Sequence, residues 1–385
     1  MRILIVRTFP DILDLHSYNV QEIGLAKALV LRGHECDVVL YNGKEKDRSE
    51  KFIFENSGEK YSFHIYWCKG YAVFKNGFMP SVKNLIVNYD VVQVHEYDQL
   101  LSWQLYTRKY VPTVIYHGPY YHPYTKGYNF KCKVFDALFL RRSKYKDTLV
   151  LAKSELAADF IRGKGFRSVV PVGVGLNADN FQADNDDCKD IMKTTEECKT
   201  KLLYVGKIEE RRNVYFLIEV FRKLRESHMD IQLILVGNGE KEYVGGFLKT
   251  ITRELESSEI RYLPKASQKE LANIYRNADI FIFTSNYEIF GMVLLEAMYF
   301  GLPIVSSENG GSSTLIKDGY NGYVLKEFHL AEWVDKLSGL INNKEKMQMM
   351  GNSAHATIVK EYTWERLAEK FEQVYLQAIE QFERK

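Results

Sequence analysis

Two glutamates, Glu288 and Glu296, interrupt the mostly apolar stretch from Ser285 to Ser307, with seven residues between them. Carboxylates are rarely buried unless a partner compensates their charge. Gly291 lies where an apolar strand gives way to a helical pattern, and a helix N-terminus offers free N–H groups and partial positive charge to an anion. The spacing indicates an anion site at this helix start. The alternative is that Glu296 lies on the helix surface and that Glu288 is only a negative charge stabilised by the helix dipole.

The elements that would position these glutamates alternate between strands and helices. Between the first two strands, the segment VQEIGLAKALVLRGHE has its apolar residues at helical spacing. The candidate strands of the first half are RILIVR (2–7), CDVVLY (36–41), FHIYWC (63–68), DVVQVHE (90–96), PTVIYHG (112–118) and TLVLAKS (148–154). Nearly continuous apolar strands separated by helices are typical of a parallel sheet covered on both faces.

A second alternation follows the polar stretch QADNDDCKDIMKTTEECK (182–199), which we interpret as a linker between domains. Its predicted strands are KLLYVGK (201–207), IQLILVG (231–237), IRYLP (260–264), DIFIFTS (279–285) and PIVSS (303–307). Its predicted helices cover 213–226, 240–256, 268–277, a segment from about 291 and the tail from about 328. The order predicts two Rossmann-like α/β domains, whose ligands bind beyond the carboxyl ends of the strands.

The composition excludes several classes of protein. Lys and Arg total 52 against 50 Asp and Glu in 385 residues, so the near-neutral chain is not a dedicated nucleic-acid binder. The five cysteines form no CxxC pair, which favours a reducing compartment and offers no metal site. The opening MRILIVRTFP is interpreted as a strand rather than a signal peptide, and no apolar run is long enough to span a bilayer. We therefore expect a cytoplasmic protein.

Several motifs together resemble the family-4 retaining glycosyltransferases. The stretch EIFGMVLLEAMYFGLPIVSSENGG resembles their signature of two glutamates with seven residues between them, a turn with Pro and a Gly-Gly pair. Further resemblances run along most of the chain, in LRGHECDVV, PVGVGLNADNF, LLYVGKI, LILVGNGE, IKDGYNGYVL and YTWERLAEKF. One pair of glutamates at this spacing is a weak signal, whereas the ordered set is specific.

The resemblance implies the GT-B fold, in which two Rossmann-like domains with parallel sheets face a central cleft and the C-terminal helix crosses back to the first domain. It implies an N-terminal acceptor-binding domain over 1–175, completed by a helix over about 363–385. An interdomain linker is expected over 176–199, and a nucleotide-sugar-binding domain over 200–362.

The resemblance also implies which residues bind the donor. Glu288 matches the glutamate near the donor sugar's hydroxyls, and Glu296 matches the one that accepts from the ribose hydroxyls. The backbone donors to phosphate match Gly291, Met292 and Val293. The other expected donor-binding residues are Phe290, Gly237, Asn238, Pro264 and Lys265.

The phosphate-binding pair departs from the family pattern of Arg followed by Lys. In GKIEERRN the two slots hold Lys207 and Arg212, so the charges are kept in exchanged order. Because Arg is a planar fork and Lys a point charge, the exchange changes the geometry of phosphate binding. Whether Arg211 shares the role of Arg212 stays open here. A solvated loop of mutually paired charges is the alternative.

On the acceptor side, His117 ends a predicted strand and matches a histidine that the family places close to the reacting centre. A lone histidine is otherwise more often a satisfied structural residue. The loop after the first strand lacks the family's usual Gly-Gly, and Ser17, Tyr18 and Asn19 are instead candidates for binding the acceptor. Asn19 or Ser17 could equally be a helix N-cap without a ligand role.

Segment 124–146 carries seven basic residues and one acidic residue, interleaved with six Tyr or Phe. This pattern is typical of an amphipathic face on an anionic membrane, at the inner face of which the protein would be peripheral. The alternative is a helix whose basic face meets solvent or an acidic sugar. The Asp184–Asp186 stretch resembles a metal-binding Asp-x-Asp but lies in the linker, so we interpret it as a solvated acidic loop and expect no metal.

The expected function is transfer of a sugar, with retention, from a nucleotide-diphosphate sugar to a hydroxyl of a glycan or lipid-linked acceptor. A UDP-sugar is favoured as co-substrate, a GDP-sugar is the second choice, and no cofactor is expected. The expected role is in the synthesis of surface polysaccharide or glycoconjugates. An epimerase or hydrolase of nucleotide sugars on the same scaffold, or a silent sugar-nucleotide-binding partner, is the alternative. A dehydrogenase is disfavoured because neither domain opens with a complete GxGxxG.

Overall fold

A computed structural model describes residues 1–15, 19–73, 75–181 and 200–384. The chain divides into two units, one of Met1–Asn177 with Thr363–Lys385 and one of Ala178–Tyr362. Most of the predicted linker, from 182 to 199, lies outside the described residues. The Asp184–Asp186 stretch lies outside them as well.

The first unit is built on an eight-stranded sheet with the order β10-β9-β8-β7-β1-β2-β4-β3. All neighbouring strands run parallel except β3 and β4. The strands are β1 Arg2–Val6, β2 Glu35–Tyr41, β3 Arg48–Asn56, β4 Glu59–Cys68, β7 Val91–His95, β8 Thr113–His117, β9 Leu149–Ala152 and β10 Ser168–Pro171. A separate ribbon pairs β5 Tyr71–Val73 with β6 Asn76–Phe78.

Helices cover both faces of this sheet, as the continuous apolar strands predict. Strands β7 and β9 are buried over their whole length. The first unit's helices before residue 178 are α1 Gln21–Leu31, α2 Val82–Ile86, α3 Leu100–Arg108, α4 Lys126–Leu138 and α5 Glu155–Gly163. The sequence did not predict β3, whose residues RSEKFIFEN are two-thirds polar and two-thirds exposed, because it forms only by pairing with β4 at the sheet edge.

The second unit has a six-stranded, wholly parallel sheet with the order β13-β12-β11-β14-β15-β16. Its strands are β11 Thr200–Val205, β12 Ile231–Val236, β13 Ile260–Leu263, β14 Ile280–Phe283, β15 Ile304–Ser307 and β16 Gly322–Leu325. Its helices are α6 Val214–Arg225, α7 Lys241–Thr250, α8 Thr252–Glu256, α9 Gln268–Asn277, α10 Met292–Tyr299, α11 Ser312–Leu315, α12 Leu330–Ile341 and α13 Lys344–Glu361. The prediction of one helix over 240–256 is wrong, because the backbone leaves helical geometry at Ile251.

The last helix, α14 Trp364–Glu383, packs against the first unit, to which it returns after the second. The indole of Trp364 lies directly over Gly24 and Gly175, where a Cβ would come within 2.2 Å and 2.3 Å of its ring. Tyr375 Oη donates to Gln93 Oε1 at 2.6 Å in the buried core. The tail is therefore an integral part of the first unit's core.

Candidate active site

The carboxyl ends of β11, β12, β13 and β14 meet at one edge of the second sheet, since these parallel strands are neighbours. The segments that leave this edge carry most of the predicted donor-binding residues. These are Lys207 and Arg212 after β11, Gly237 and Asn238 after β12, Pro264 and Lys265 after β13, and Glu288 to Val293 after β14. The topology therefore brings together residues that are up to 86 positions apart, from Lys207 to Val293.

Glu288 is buried between two guanidinium groups. Its Oε1 lies 2.6 Å from Arg211 Nη1 and is also in contact with Arg212 Nη1. Ser285 Oγ donates to the same oxygen at 3.0 Å. Two cations held on one carboxylate compensate the cost of burying it. Arg211 thus belongs to the cluster around Glu288, a point that the sequence left open.

Backbone hydrogen bonds hold the two segments of this cluster in place. Asn286 N donates to Arg211 O at 2.9 Å, and Thr284 Oγ1 donates to Arg212 O at 2.9 Å. From the other side, Gly310 N donates to Glu288 O at 3.0 Å. The Gly-Gly pair of the signature therefore closes on the backbone that carries Glu288.

The cations of the loop after β11 differ in how far they are paired with carboxylates. Burial lowers the pKa of Arg211, but Glu288 and Glu209 outweigh that effect, so the net shift is upward and the side chain stays charged. Arg211 Nη2 also donates to Glu209 Oε1 at 2.7 Å. By contrast, Lys207 is exposed, and within the described part of the chain its ammonium makes no ion pair. Lys207 is the cation most accessible to a ligand in this loop.

Gly291 is the residue before α10 and has φ +74°, in the region that favours glycine. Its carbonyl accepts from Leu294 N at 2.9 Å, which starts the helix just after the carboxyl end of β14. The predicted phosphate donors Gly291, Met292 and Val293 thus occupy a helix start. Phe290 is buried and serves the packing of this loop.

Glu296 lies in the second turn of α10 and is buried, where Tyr275 Oη donates to its Oε2 at 2.8 Å. Tyr275 itself stacks on Phe300 with ring centroids 5.4 Å apart. The sequence placed Glu296 correctly on the helix but had no signal for its tyrosine partner, which belongs to α9.

The ends of β12 and β13 form the other wall of this edge. A Cβ on Gly237 would lie 1.9 Å from Gly206 O, so only glycine allows the two strand ends to approach this closely. Asn238 O accepts from Ile208 N at 3.0 Å and fixes the loop that carries Lys207. Pro264 and Lys265 are exposed at the end of β13.

In the first unit, His117 ends β8 as predicted, but its side chain is fully buried. Its Nδ1 lies 2.5 Å from Glu96 Oε2, and its Nε2 lies 2.7 Å from Pro119 O. Burial raises the pKa of Glu96, yet the attraction of His117 and Lys153 and the Gly118 N–H outweigh it and give a net lowering. Both ring nitrogens thus face protein oxygens.

The predicted acceptor residues are only partly described. Ser17 and Tyr18 lie outside the described residues. Asn19 is not the cap of α1, because Val20 holds that position, so the N-cap alternative for Asn19 is wrong. Its Nδ2 instead lies 3.4 Å from Gly175 O, and its Oδ1 lies 3.5 Å from Trp364 Nε1.

Glu96, Asp98 and His117 form a buried trio whose ligand atoms lie within 4.8 Å of one another, the only such group among the described residues. The trio already carries compensating charge, because Lys131 Nζ lies 2.9 Å from Asp98 Oδ2. With both nitrogens of His117 directed at protein oxygens, the group fits an internal ion-pair network better than a metal centre.

Helix α4, within segment 124–146, exposes an apolar stripe. Phe130, Val134 and Leu138 are spaced one turn apart and are 70%, 41% and 61% exposed. Asp136, the segment's one acidic residue, is paired with Lys164 at 2.5 Å. We define the α4 face as this stripe with the exposed basic residues beside it, Lys126, Lys133, Arg141, Arg142, Lys144 and Lys146. In the part of the chain that the structure describes, no helix is long and apolar enough to cross a bilayer.

Two family models match the chain, one in each unit. The model for glycosyltransferase family 4 matches residues 23–178, and the model for glycosyl transferases group 1 matches residues 189–357. Together they cover most of the chain. The matched residues include His117 in the first unit and Arg211, Arg212 and Glu288 in the second. The chain belongs to glycosyltransferase family 4.

Curated relatives of this glycosyltransferase have several activities. A probable sucrose-phosphate synthase of Thermosipho melanesiensis is 29% identical over 207 residues, 53% of this chain and 45% of the relative. A lipopolysaccharide 1,2-N-acetylglucosaminetransferase of Salmonella typhimurium is 28% identical over 214 residues, 54% of this chain and 55% of the relative. The chain thus spans about half the length of the curated relatives it matches.

Solved structures confirm the GT-B fold of the glycosyltransferase. The Anabaena protein HepE, in complex with UDP, superposes with a TM-score of 0.71 at 15% identity, over 98% of this chain and all of that one. Sucrose-phosphate synthase of Thermosynechococcus elongatus superposes with a TM-score of 0.72 at 15% identity, over 98% and 99% of the two chains. The predicted α/β architecture with two parallel-sheet halves is therefore confirmed.

Proposed function

We propose that this glycosyltransferase transfers a sugar from a nucleotide-diphosphate sugar to a hydroxyl of a glycan or lipid-linked acceptor, with retention at the anomeric carbon. The observation that carries the proposal is the convergence of Arg211, Arg212 and Glu288 beside the start of α10. Cations and helix N–H groups suit a diphosphate, and a carboxylate suits sugar hydroxyls.

The chemical step breaks the bond between the anomeric carbon and the diphosphate oxygen and forms one to the acceptor oxygen. Negative charge grows on the departing diphosphate, so preorganised donors aimed at it are expected to be the largest catalytic term. Lys207, Arg212 and the N–H groups at Gly291 to Val293 are proposed for this role. Alignment of the acceptor against the donor supplies much of the rest.

Retention is proposed to follow front-face departure and attack, with the acceptor's proton passing to the leaving diphosphate. A covalent intermediate would require a free carboxylate at the anomeric carbon. Glu288 is held by two arginines, which favours a role in binding the sugar's hydroxyls. We also propose a catalytic role for His117, which would have to exchange its contact with Pro119 O for one with the sugar.

UDP is the favoured nucleotide, and a GDP-sugar is the second choice. The likeness to HepE, which was solved with UDP and with UDP-glucose, supports this preference. No cofactor and no metal are proposed, because Lys207, Arg211 and Arg212 would supply positive charge at the proposed diphosphate position. Turnover that is unchanged by a chelator would support metal independence, and turnover restored by Mg²⁺ after chelation would overturn it.

A role in surface polysaccharide or glycoconjugate synthesis, at the inner face of a membrane, is proposed for the whole protein. Similarity to a lipopolysaccharide transferase supports it. The α4 face also supports it, because an apolar stripe flanked by basic side chains suits an anionic lipid surface. An acidic sugar that meets the same basic side chains is the alternative.

The second candidate is an epimerase or hydrolase of nucleotide sugars on the same scaffold, since both would need the same donor site. Incubation of the purified chain with UDP-glucose, GDP-mannose, dTDP-glucose and ADP-glucose, with and without candidate acceptors, discriminates between them. Acceptor-dependent release of the nucleoside diphosphate and a product that keeps the anomeric configuration are expected. Release at the same rate without acceptor would identify a hydrolase, and isomerised donor an epimerase.

A further inference from the structure

Lys153 is a buried cation at the carboxyl edge of the first sheet. It directly follows β9 and is 8% exposed. Among the described residues, no carboxylate oxygen lies within 4.0 Å of its Nζ. Its Nζ lies 4.7 Å from the centre of the Tyr116 ring, and this cation–π contact offsets part of the free energy that the ammonium loses on leaving water. A buried cation without a counter-ion is costly, so it needs a reason.

Two carboxylates, Glu96 and Glu22, interact with Tyr116 beside Lys153, and both already have partners. Glu96 lies against His117 and accepts from Gly118 N at 3.2 Å. Glu22, on α1, lies 3.4 Å from Arg7 Nε. Glu96 and Lys153 do attract each other, but without direct contact. Lys153 therefore has no direct ion pair among the described residues.

His95 is a second buried group with unused hydrogen-bonding capacity at this edge. It ends β7, and its ring meets the same Tyr116 ring edge-on with centroids 5.6 Å apart. Its Nδ1 lies 3.5 Å from Glu22 Oε1 without forming a hydrogen bond, but the nearby carboxylate still favours the tautomer with the proton on Nδ1. Its Nε2 is buried and has no hydrogen-bond partner among the described residues. In that tautomer Nε2 is an acceptor.

Lys153 and His95 thus present one cation and one acceptor on either side of Tyr116. Both follow or end parallel strands at the edge where α/β sheets bind ligands. We propose that Lys153 binds an anionic oxygen of the acceptor, from a phosphate or a carboxylate, and that His95 Nε2 accepts a hydrogen bond from a hydroxyl of the same molecule. The acceptor would be a phosphorylated or carboxylated sugar or polyol. The assignment to the acceptor rests on the proposed transferase function.

The competing explanation is that Lys153 is structural and is held by the Tyr116 ring and the attraction of Glu96. The two explanations differ in what removal of the charge does. A structural lysine makes the Lys153→Met protein less stable. If the lysine is instead kept buried for a ligand, Lys153→Met leaves the thermal unfolding midpoint of the ligand-free protein unchanged or raises it, and ligand binding is lost.

The test uses the full chain saturated with UDP, so that the donor's phosphate positions are filled. Glucose, glucose 6-phosphate, glucuronate and inorganic phosphate are titrated by calorimetry into the wild-type protein, Lys153→Met, Lys153→Arg and the control Lys69→Met. Lys69 is exposed in the same unit. We expect the wild type to prefer an anionic probe over glucose at least tenfold. Lys153→Met should weaken that probe about 10- to 150-fold, as for loss of a charged hydrogen bond.

Lys153→Arg should keep part of the preference for the anionic probe over glucose, and Lys69→Met should keep all of it. The affinity for UDP should not change in any variant. A preference for glucose 6-phosphate identifies a phosphate site, and one for glucuronate a carboxylate site. Equal wild-type affinity for glucose and both anionic sugars would overturn the proposal even if Lys153→Met failed to fold. Weaker UDP binding in Lys153→Met would overturn it by assigning the lysine to the donor. Failure of the chain to bind UDP at all would instead contradict the proposed function.

Discussion

Arg211 Nη1 lies 2.6 Å from Glu288 Oε1, and this contact joins the loop after the first strand of the second sheet to the loop after the fourth. The carboxylate proposed to bind the sugar and a cation beside the phosphate position are therefore one electrostatic unit before any donor binds. A diphosphate would have to share these cations with Glu288. The first two predictions separate the two partners.

Replacing Glu288 by Gln removes the charge but keeps the shape. We expect turnover to fall by roughly 10²–10³-fold, the scale for losing one preorganised contact to the transition state. UDP should bind as tightly as before or more tightly, because the arginines lose a competing anion. Steady-state turnover and UDP calorimetry measure the two quantities.

The matched control is Glu209→Gln, because Glu209 Oε1 also pairs with Arg211, at 2.7 Å. This variant should keep turnover within a few-fold of the wild type. Unchanged turnover in Glu288→Gln would contradict the role given to Glu288.

The three cations after β11 should separate by what they bind. Lys207→Met and Arg212→Met are each expected to weaken UDP by about 10- to 150-fold and to leave uridine unaffected, because the loss is a charged contact with phosphate. Arg211→Met should lower turnover more than UDP affinity, since Arg211 mainly holds Glu288. Arg253→Met, in the exposed part of α8, is the control. Equal loss of UDP and uridine affinity would argue against phosphate contacts.

The pH dependence of stability should report the buried His95. Burial, and then the charges of Lys153 and Arg7, lower the pKa of His95 well below 6.5 in the native state, while Glu22 faces it from α1. Below pH 6.5 the unfolded chain therefore binds a proton that the native chain does not. The free energy of unfolding should fall with falling pH by up to about 1.4 kcal/mol per pH unit from this group alone.

Urea denaturation of the wild type and His95→Asn at pH 7.5, 6.5 and 5.5 measures this contribution. The wild type should lose more stability than the variant between pH 6.5 and 5.5, and their curves should run parallel above pH 7. His329→Asn, at an exposed position, serves as the control and should follow the wild type. Parallel curves over the whole range would mean that His95 takes up its proton as readily in the native state as in the unfolded chain.

The α4 face should bind vesicles that contain anionic lipid. Each basic side chain near such a surface contributes about 1 kcal/mol, so Arg141→Glu with Arg142→Glu should weaken binding by more than 30-fold. Phe130→Ser with Leu138→Ser should weaken it through lost apolar burial and should do so at high salt as well. Co-sedimentation with phosphatidylglycerol and phosphatidylcholine vesicles measures the partition.

Two control variants on α13, one double and one single, match these variants. Lys344→Glu with Lys360→Glu repeats the charge change, and Met349→Ser removes a side chain that is 63% exposed. Both should bind as the wild type does. If the wild type does not bind anionic vesicles at low salt, the proposed membrane contact of the α4 face is wrong. Self-association that depends on Phe130 would indicate that a second copy of the chain covers this face.

The sequence was sufficient for the order of the elements because the central strands are buried on both faces and show as unbroken apolar runs. Thus β1, β7 and β12 were predicted to within a residue or two. The start of α10 was predicted for a related reason, since Gly291 is a local signal. The helix start and both glutamates could be located without tertiary information.

Contacts between distant segments could not be predicted in this way. Tyr275 is 21 positions from Glu296, and Glu22 is 73 positions from His95, and no periodic pattern links such pairs. The buried His117 lies against Glu96, whose positive φ of 58° turns the chain after β7. Such geometry results from packing, which a single sequence does not display.

The indole of Trp364 on Gly24 and Gly175 has a consequence for how these chains are taken apart or recombined. The first unit is discontinuous, because about 20 residues of its core follow the whole second unit in the chain. A fragment that ends at Asn177 would expose the two glycines and the groove that the indole fills, and we expect it to aggregate. Exchange of N-terminal halves between family members would succeed only when each half travels with its own tail.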